Sequence, residues 1–349
     1  MSISNKPLFA LRGVYAHLHW AYNHPYALRS WTLDDWKHYI DFLACLKVNL
    51  LQIWPMSSML PLPFSDADRA YLKMYREVVE YAKSKYAMKV FVGECANNIA
   101  KTRAIDPIAK RDYFQTELLL NPADPVQMET LRAHRAAMYQ SIPNADGYWI
   151  IDSDPGGWAG SPSTEFVDIL IMNRELLDSI GRADAEIVYW MWQGWGTDKT
   201  EKNLETTIKD ILHRLPEPWS ILACSKEHLN LIEEMGLTKK TIYFPYGLVE
   251  PEPSPPYTHA PNADIDKVFS PIEEFAGLRG VMCNMQTPFV QLPRLHQFQQ
   301  AALGDEVQLP EIAEMLFPEN PDPIRKAWDS IAPAATSDKT RRAAEDLES

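Results

Sequence analysis

Short apolar runs of strand length alternate with longer amphipathic stretches along almost the whole of this chain, and the order is always β, then α. Eight such runs occupy 11–19, 49–54, 89–94, 147–152, 186–192, 219–224, 240–246 and 278–284, each bounded by turn residues and rich in Val, Ile, Leu and aromatics. Between them, apolar residues recur at helical spacing over 33–47, 66–86, 125–141, 164–180, 200–214 and 226–235. A parallel neighbour can be reached only through a crossover, so strict alternation of this kind forces a parallel sheet with helices on its face. Eight units are what a (β/α)8 TIM barrel requires, whereas a doubly wound sheet seldom needs so many. The expectation is an α/β barrel over 8–304, followed by a short helical C-terminal extension over 305–349 that contains the segment Phe317-Pro318-Glu319-Asn320-Pro321-Asp322-Pro323.

Local signals agree with this phase. Thr32 stands before Leu33-Asp34-Asp35-Trp36 as a helix cap with acids in the first turn, and Ser161-Pro162 offers a cap followed by Pro at the first helical position, with Glu165 supporting the helix dipole. Two connections are long, 96–124 after the third strand and 247–264 after the seventh. Both leave the C-terminal ends of strands, where barrel active sites form, so they are candidate walls or lids.

The 349 residues carry a formal net charge of -13, which argues against nucleic acid or an anionic membrane as partner, because phosphate binding needs clustered Lys and Arg. No apolar run reaches the ~18 residues of a transmembrane helix. No signal peptide is visible, which makes a cytoplasmic location the default, although a piece of a secreted or periplasmic protein would read the same. Cys45, Cys95, Cys224 and Cys283 lie in or beside apolar runs without the paired spacing of a zinc site, and read as buried free thiols. No glycine-rich phosphate loop occurs, so no nucleotide is implied, and no cofactor or metal is expected.

The C-terminal ends of barrel strands converge, and what each supplies can be read off: His17, His19 and Trp20 from the first, Trp54 from the second, Glu94 and Asn97 from the third, Asp152 and Asp154 from the fourth, Trp192, Gln193 and Trp195 from the fifth, Tyr246 from the seventh, and Asn284 and Gln286 from the eighth. Aromatic faces beside amides and carboxylates suit a sugar, whose C–H faces stack on indole while its hydroxyls take directional hydrogen bonds. A carbohydrate is therefore the expected substrate. In the stretch Gly147-Tyr148-Trp149-Ile150-Ile151-Asp152-Ser153-Asp154, an apolar strand runs into two acids that share a face if the chain stays extended, while Trp149 reads as structural. A polar turn at Asp154-Pro155-Gly156-Gly157 is the plainer alternative. His17 and His19 raise a rival, a metal-dependent barrel hydrolase, but the further ligands such a site needs are missing from the other strand ends.

The strand Arg12-Gly13-Val14-Tyr15-Ala16-His17-Leu18-His19-Trp20, the fourth-strand motif and the segment Asn284-Met285-Gln286-Thr287-Pro288-Phe289-Val290-Gln291-Leu292-Pro293 together resemble the barrels of a broad group of glycoside hydrolases that includes the family 20 β-hexosaminidases and the family 67 α-glucuronidases. Hexosaminidases carry an adjacent Asp-Glu pair after the fourth strand, where this chain has Asp152-Ser153-Asp154. The α-glucuronidase signature Ser-Glu-Gly-x-Pro-Gly is similar to Ser153-Asp154-Pro155-Gly156-Gly157, with Asp in place of Glu. The resemblance implies that Asp154 is the general acid of a glycosidase, and the two long loops, which would close one end of the pocket, make an exo-acting one the expectation.

Glycoside cleavage needs one carboxyl to protonate the departing oxygen and a second group to supply or activate the nucleophile. Asp154 is expected as the acid, Asp152 as its like-charge neighbour or a steering group, and Glu94 as the second carboxylate. His17, His19, Trp20, Trp54, Asn97, Trp192, Gln193, Trp195, Tyr246, Asn284 and Gln286 are expected to contact the sugar. The Asp-for-Glu change also admits a barrel that binds carbohydrate without cleaving it.

Overall fold

Eight parallel strands close on themselves in a computed structural model that describes residues 7–16, 18, 28–100, 117–153, 156–196, 201–245, 277–285, 288, 292–304, 313–314 and 317–326. The strands are β1 (Leu11–Ala16), β2 (Leu50–Ile53), β3 (Lys89–Cys95), β6 (Gly147–Ile151), β7 (Glu186–Met191), β8 (Trp219–Ala223), β9 (Thr241–Tyr243) and β10 (Gly280–Met285). Their order around the ring is β1-β10-β9-β8-β7-β6-β3-β2, so chain neighbours are also sheet neighbours and β1 meets β10 to close the barrel, with Tyr15 opposite Asn284. All eight runs expected to be strands are strands, each within a few residues of its expected limits. The helices are α1 (Leu33–Cys45), α2 (Asp66–Tyr86), α3 (Pro125–Ser141), α4 (Ser163–Ser179), α5 (Glu201–Arg214), α6 (Lys226–Glu234) and α7 (Leu292–Leu303). None of the described helices is long and apolar enough to cross a membrane.

The connection after β3 is more than a loop. It holds a small antiparallel pair, β4 (Asn98–Ala100) and β5 (Glu117–Leu119), with Asn98 opposite Leu119. Three-residue strands leave too short a pattern to be read from sequence.

Alternation along each strand divides the core in two. One set of strand residues meets the helices, and the other, including Tyr15, Trp54, Phe91, Trp149, Trp190, Leu222, Phe244 and Met282, fills the barrel itself. The lumen is aromatic. The Trp149 ring lies 4.8 Å from Trp54 and 4.7 Å from Trp190 in edge-to-face contact, and Tyr15 is edge-on to both Trp149 and Trp190. Gly93 makes this possible, because a Cβ there would stand 1.8 Å from Cζ2 of Trp149. At the opposite, N-terminal face, Arg279 grips Glu186 with two 2.6 Å hydrogen bonds, while Ser220 donates to the same carboxylate at 2.9 Å.

Among the described helix starts, local rules hold with one exception. Thr32 and Ser65 each form a reciprocal capping box, with Asp35 and Asp68, and Asp124 accepts from the amides of Val126 and Gln127 ahead of Pro125. The expected cap at Ser161 is corrected. Pro162 holds the N-cap position of α4 without a side-chain bond, and the Ser161 hydroxyl instead donates to Glu165 and accepts from Trp195 Nε1 at 2.6 Å. Of the four cysteines, Cys95 and Cys283 are buried and Cys224 is partly so, but Cys45 is exposed at the end of α1, contrary to expectation.

Candidate active site

At the C-terminal mouth of the barrel, Met56, Trp192 and Cys224 are the partly exposed residues that pack on the aromatic lumen. Trp192 follows β7, its ring 6.1 Å from that of Trp190, and Gln193 beside it is also partly exposed. Among the described residues, the mouth thus offers a partly exposed indole, with the amide-bearing Gln193 next to it in the chain, above an aromatic floor. This is the arrangement a sugar ring requires, an apolar face to stack on and a polar group at its edge.

Asp152 shapes this pair from behind. Because Tyr148 and Ile150 face the helix layer, so does Asp152, and its side chain is fully enclosed. Five donors converge on it. The backbone amides of Trp192 (3.2 Å) and Gly194 (3.0 Å) and the hydroxyl of Tyr189 (2.9 Å) reach Oδ2, while the amide of Gln193 (3.2 Å) and the Ser153 hydroxyl (3.0 Å) reach Oδ1. Burial pushes the carboxyl up to about 6, against the pull of these donors toward the ionised form. Gly194, at φ 89°, turns its own amide onto the carboxylate, a conformation that residues with a Cβ rarely adopt.

Glu94 is committed in a different way. It too is fully buried on the helix-facing side, where Arg135 of α3 donates to Oε2 at 2.6 Å and the Ser57 hydroxyl donates to Oε1. Arg135 also donates to the Cys95 carbonyl. Burial raises the Glu94 pKa, opposed by Arg135 and Ser57. This cluster ties β3 to α3 and to the turn Ser57–Met59, which follows Met56, a residue in the left-handed region at φ 55°. A non-glycine residue held there at the mouth is a mark of imposed local geometry.

Several expected sugar contacts have other work. Asn97 is fully buried as a bracket: its amide nitrogen donates to the carbonyls of Leu120 (2.8 Å) and Gly157 (2.9 Å), and its oxygen accepts from the Gly157 amide at 3.0 Å. It fixes the glycine pair Gly156-Gly157, both at positive φ, next to the fourth strand. Trp195 is corrected from contact to core, because its ring stacks on Phe166 at 5.3 Å and is fully buried. Trp54, 1% exposed, belongs to the floor rather than the rim. Asn284 is buried on β10, opposite Tyr15. His17, His19, Trp20, Asp154, Tyr246 and Gln286 lie outside the described residues.

Ser57, Arg135 and Tyr189, which hold the two acids, give no local signal in the sequence, and the parity that turns Asp152 away from the lumen is legible only in the closed barrel.

No protein-family model and no curated protein matches the chain. Solved structures do resemble it. A family 138 glycoside hydrolase targeting pectin rhamnogalacturonan II superposes with a TM-score of 0.59 at 13% identity, covering 95% of this chain and 55% of its own. A family 89 glycoside hydrolase from Clostridium perfringens gives 0.55 at 12%, covering 95% and 42%. A β-N-acetylhexosaminidase from Bacteroides fragilis gives 0.56 at 11%, covering 90% and 72%. The chain spans about half the length of the first two. At such identities the likeness is one of fold, and the fold of this chain is that of a (β/α)8 barrel shared with glycoside hydrolases.

Proposed function

We propose that the chain is a glycoside hydrolase, acting from the end of its substrate, with Asp154 as the general acid. The observation that carries this reading is the mouth itself: the partly exposed Trp192 and Gln193 stand over an aromatic floor at the C-terminal face of a barrel, which in TIM barrels is the catalytic face. The Asp154 carboxyl would donate its proton to the glycosidic oxygen as the bond to the anomeric carbon breaks, and water would add at that carbon, its proton passing to the carboxylate that Asp154 has become. Asp152 and Glu94, with both oxygens of each occupied by protein donors, serve the scaffold. That occupation also favours a second reading, a barrel that binds sugar without cleaving it.

A panel of 4-nitrophenyl and alkyl hexosides, N-acetylhexosaminides and hexuronides separates the two. The cleaving enzyme turns over at least one class, and Asp154→Asn lowers kcat by about 10²–10⁴. The loss is steeper for alkyl than for nitrophenyl glycosides, because nitrophenolate leaves without protonation. Full activity in the variant removes Asp154 from the role. Binding of the free sugars by a wild type that cleaves none of the panel establishes the second reading.

A further inference from the structure

We infer that Asp152 is a positioning residue that sets the substrate platform: its acceptor-only carboxylate fills the backbone nest of residues 192–194 and so fixes the direction of Trp192 and Gln193 toward the sugar. The inference rests on the glycosidase reading for the identity of the ligand, but the clamp itself is a property of the free protein.

Three successive amides aimed at one point form a concave site for an anion, and here the occupant is a side chain from the neighbouring strand. The donors arrive at both oxygens, two amides and a phenol at Oδ2 and one amide and a hydroxyl at Oδ1. Only a carboxylate accepts on both sides. An asparagine of the same shape would turn an NH₂ group either toward the amides of Trp192 and Gly194 or toward that of Gln193, so in each orientation at least one backbone N–H loses its acceptor and faces a donor. The loop beyond β7 must then move, and the two residues it carries are those partly exposed at the mouth. Trp192 is anchored by the nest at its backbone and by Trp190 at its ring, so a backbone shift tilts the indole. An indole reads the apolar face of a sugar and Gln193 the hydroxyl or acylamino group at its edge, which makes the clamp a determinant of which ring is accepted.

The test compares wild type, Asp152→Asn, Gln193→Ala and the double variant on the best aryl glycoside of the panel, together with hydrogen exchange of the 192–194 amides without ligand. The expected result for Asp152→Asn is a KM raised at least about tenfold with kcat changed less than about threefold, faster exchange at those amides, and an effect on KM that shrinks in the Gln193→Ala background. A kcat lost at unchanged KM would overturn the inference in favour of a reacting acid. A lower Tm with both kinetic constants intact would overturn it in favour of a purely structural residue. If the wild type cleaves and binds no glycoside, the glycosidase reading falls, and the exchange data still decide whether the carboxylate holds the loop.

Discussion

Gly93 is the residue on which the lumen depends. The Trp149 indole crosses the space a side chain at 93 would occupy, and it meets Trp54, Trp190 and Tyr15 edge-on, so it cannot move without disturbing three aromatic contacts. Gly93→Ala is expected to cost about 3 kcal/mol or more in urea unfolding, at the upper end of overpacking, and Gly93→Ala combined with Trp149→Leu to recover part of that loss. An unchanged midpoint for the single variant would mean that the indole has room elsewhere. Gly93 and Trp149 also show where sequence reading reaches its limit at this scale. In a parallel barrel both faces of a strand are apolar, so the run Tyr148-Trp149-Ile150-Ile151 does not announce which parity faces the lumen. Trp149 was legible as structural and Asp152 as important, but one residue of parity separates a carboxylate in the lumen from one behind the strand.

Between elements, the buried Glu94–Arg135 pair joins β3 to α3, and its worth lies in being complete. Both side chains are fully enclosed, so removal of one charge strands the other. Glu94→Gln is expected to lower stability by about 3–5 kcal/mol, and Glu94→Gln with Arg135→Met to restore much of it, measured by thermal or urea unfolding. If Glu94 were instead the reacting second carboxylate, the double variant would be stable and inactive. The elements themselves were largely legible, because their signals are local: the Thr32–Asp35 and Ser65–Asp68 boxes announce α1 and α2 from four residues each. Ser161 was misread because its hydroxyl is claimed by Trp195, more than thirty residues away, and the β4–β5 pair was missed because each strand is too short for a period to register.

Across the whole molecule, buried groups of opposite sign titrate in one pH window. Burial, with Arg135 as a second cause, depresses His134 to about 4, and burial does the same to His228, whose Nδ1 accepts from the Cys224 amide. Each imidazole stays neutral in the fold while the unfolded chain takes up a proton near pH 6.5, so each lowers stability as pH falls from 6.5 to 4. Asp152, raised to about 6, works the other way: the fold holds a proton that the unfolded chain releases, so this carboxyl adds stability as pH falls from 6 toward 3.8, and Glu94 has the same direction. The two sets oppose each other, and a variant lacking one of them exposes the other. His134→Gln keeps a donor for the Leu60 carbonyl, which now lies 3.2 Å from Nε2, but cannot titrate. Its stability relative to wild type is expected to improve by about 3 kcal/mol between pH 7.5 and pH 4, read as the change in urea midpoint across a pH series. Parallel pH profiles for the two proteins would mean that His134 protonates in the fold as readily as in water, and that the helix layer around α3 is open enough to admit the charge.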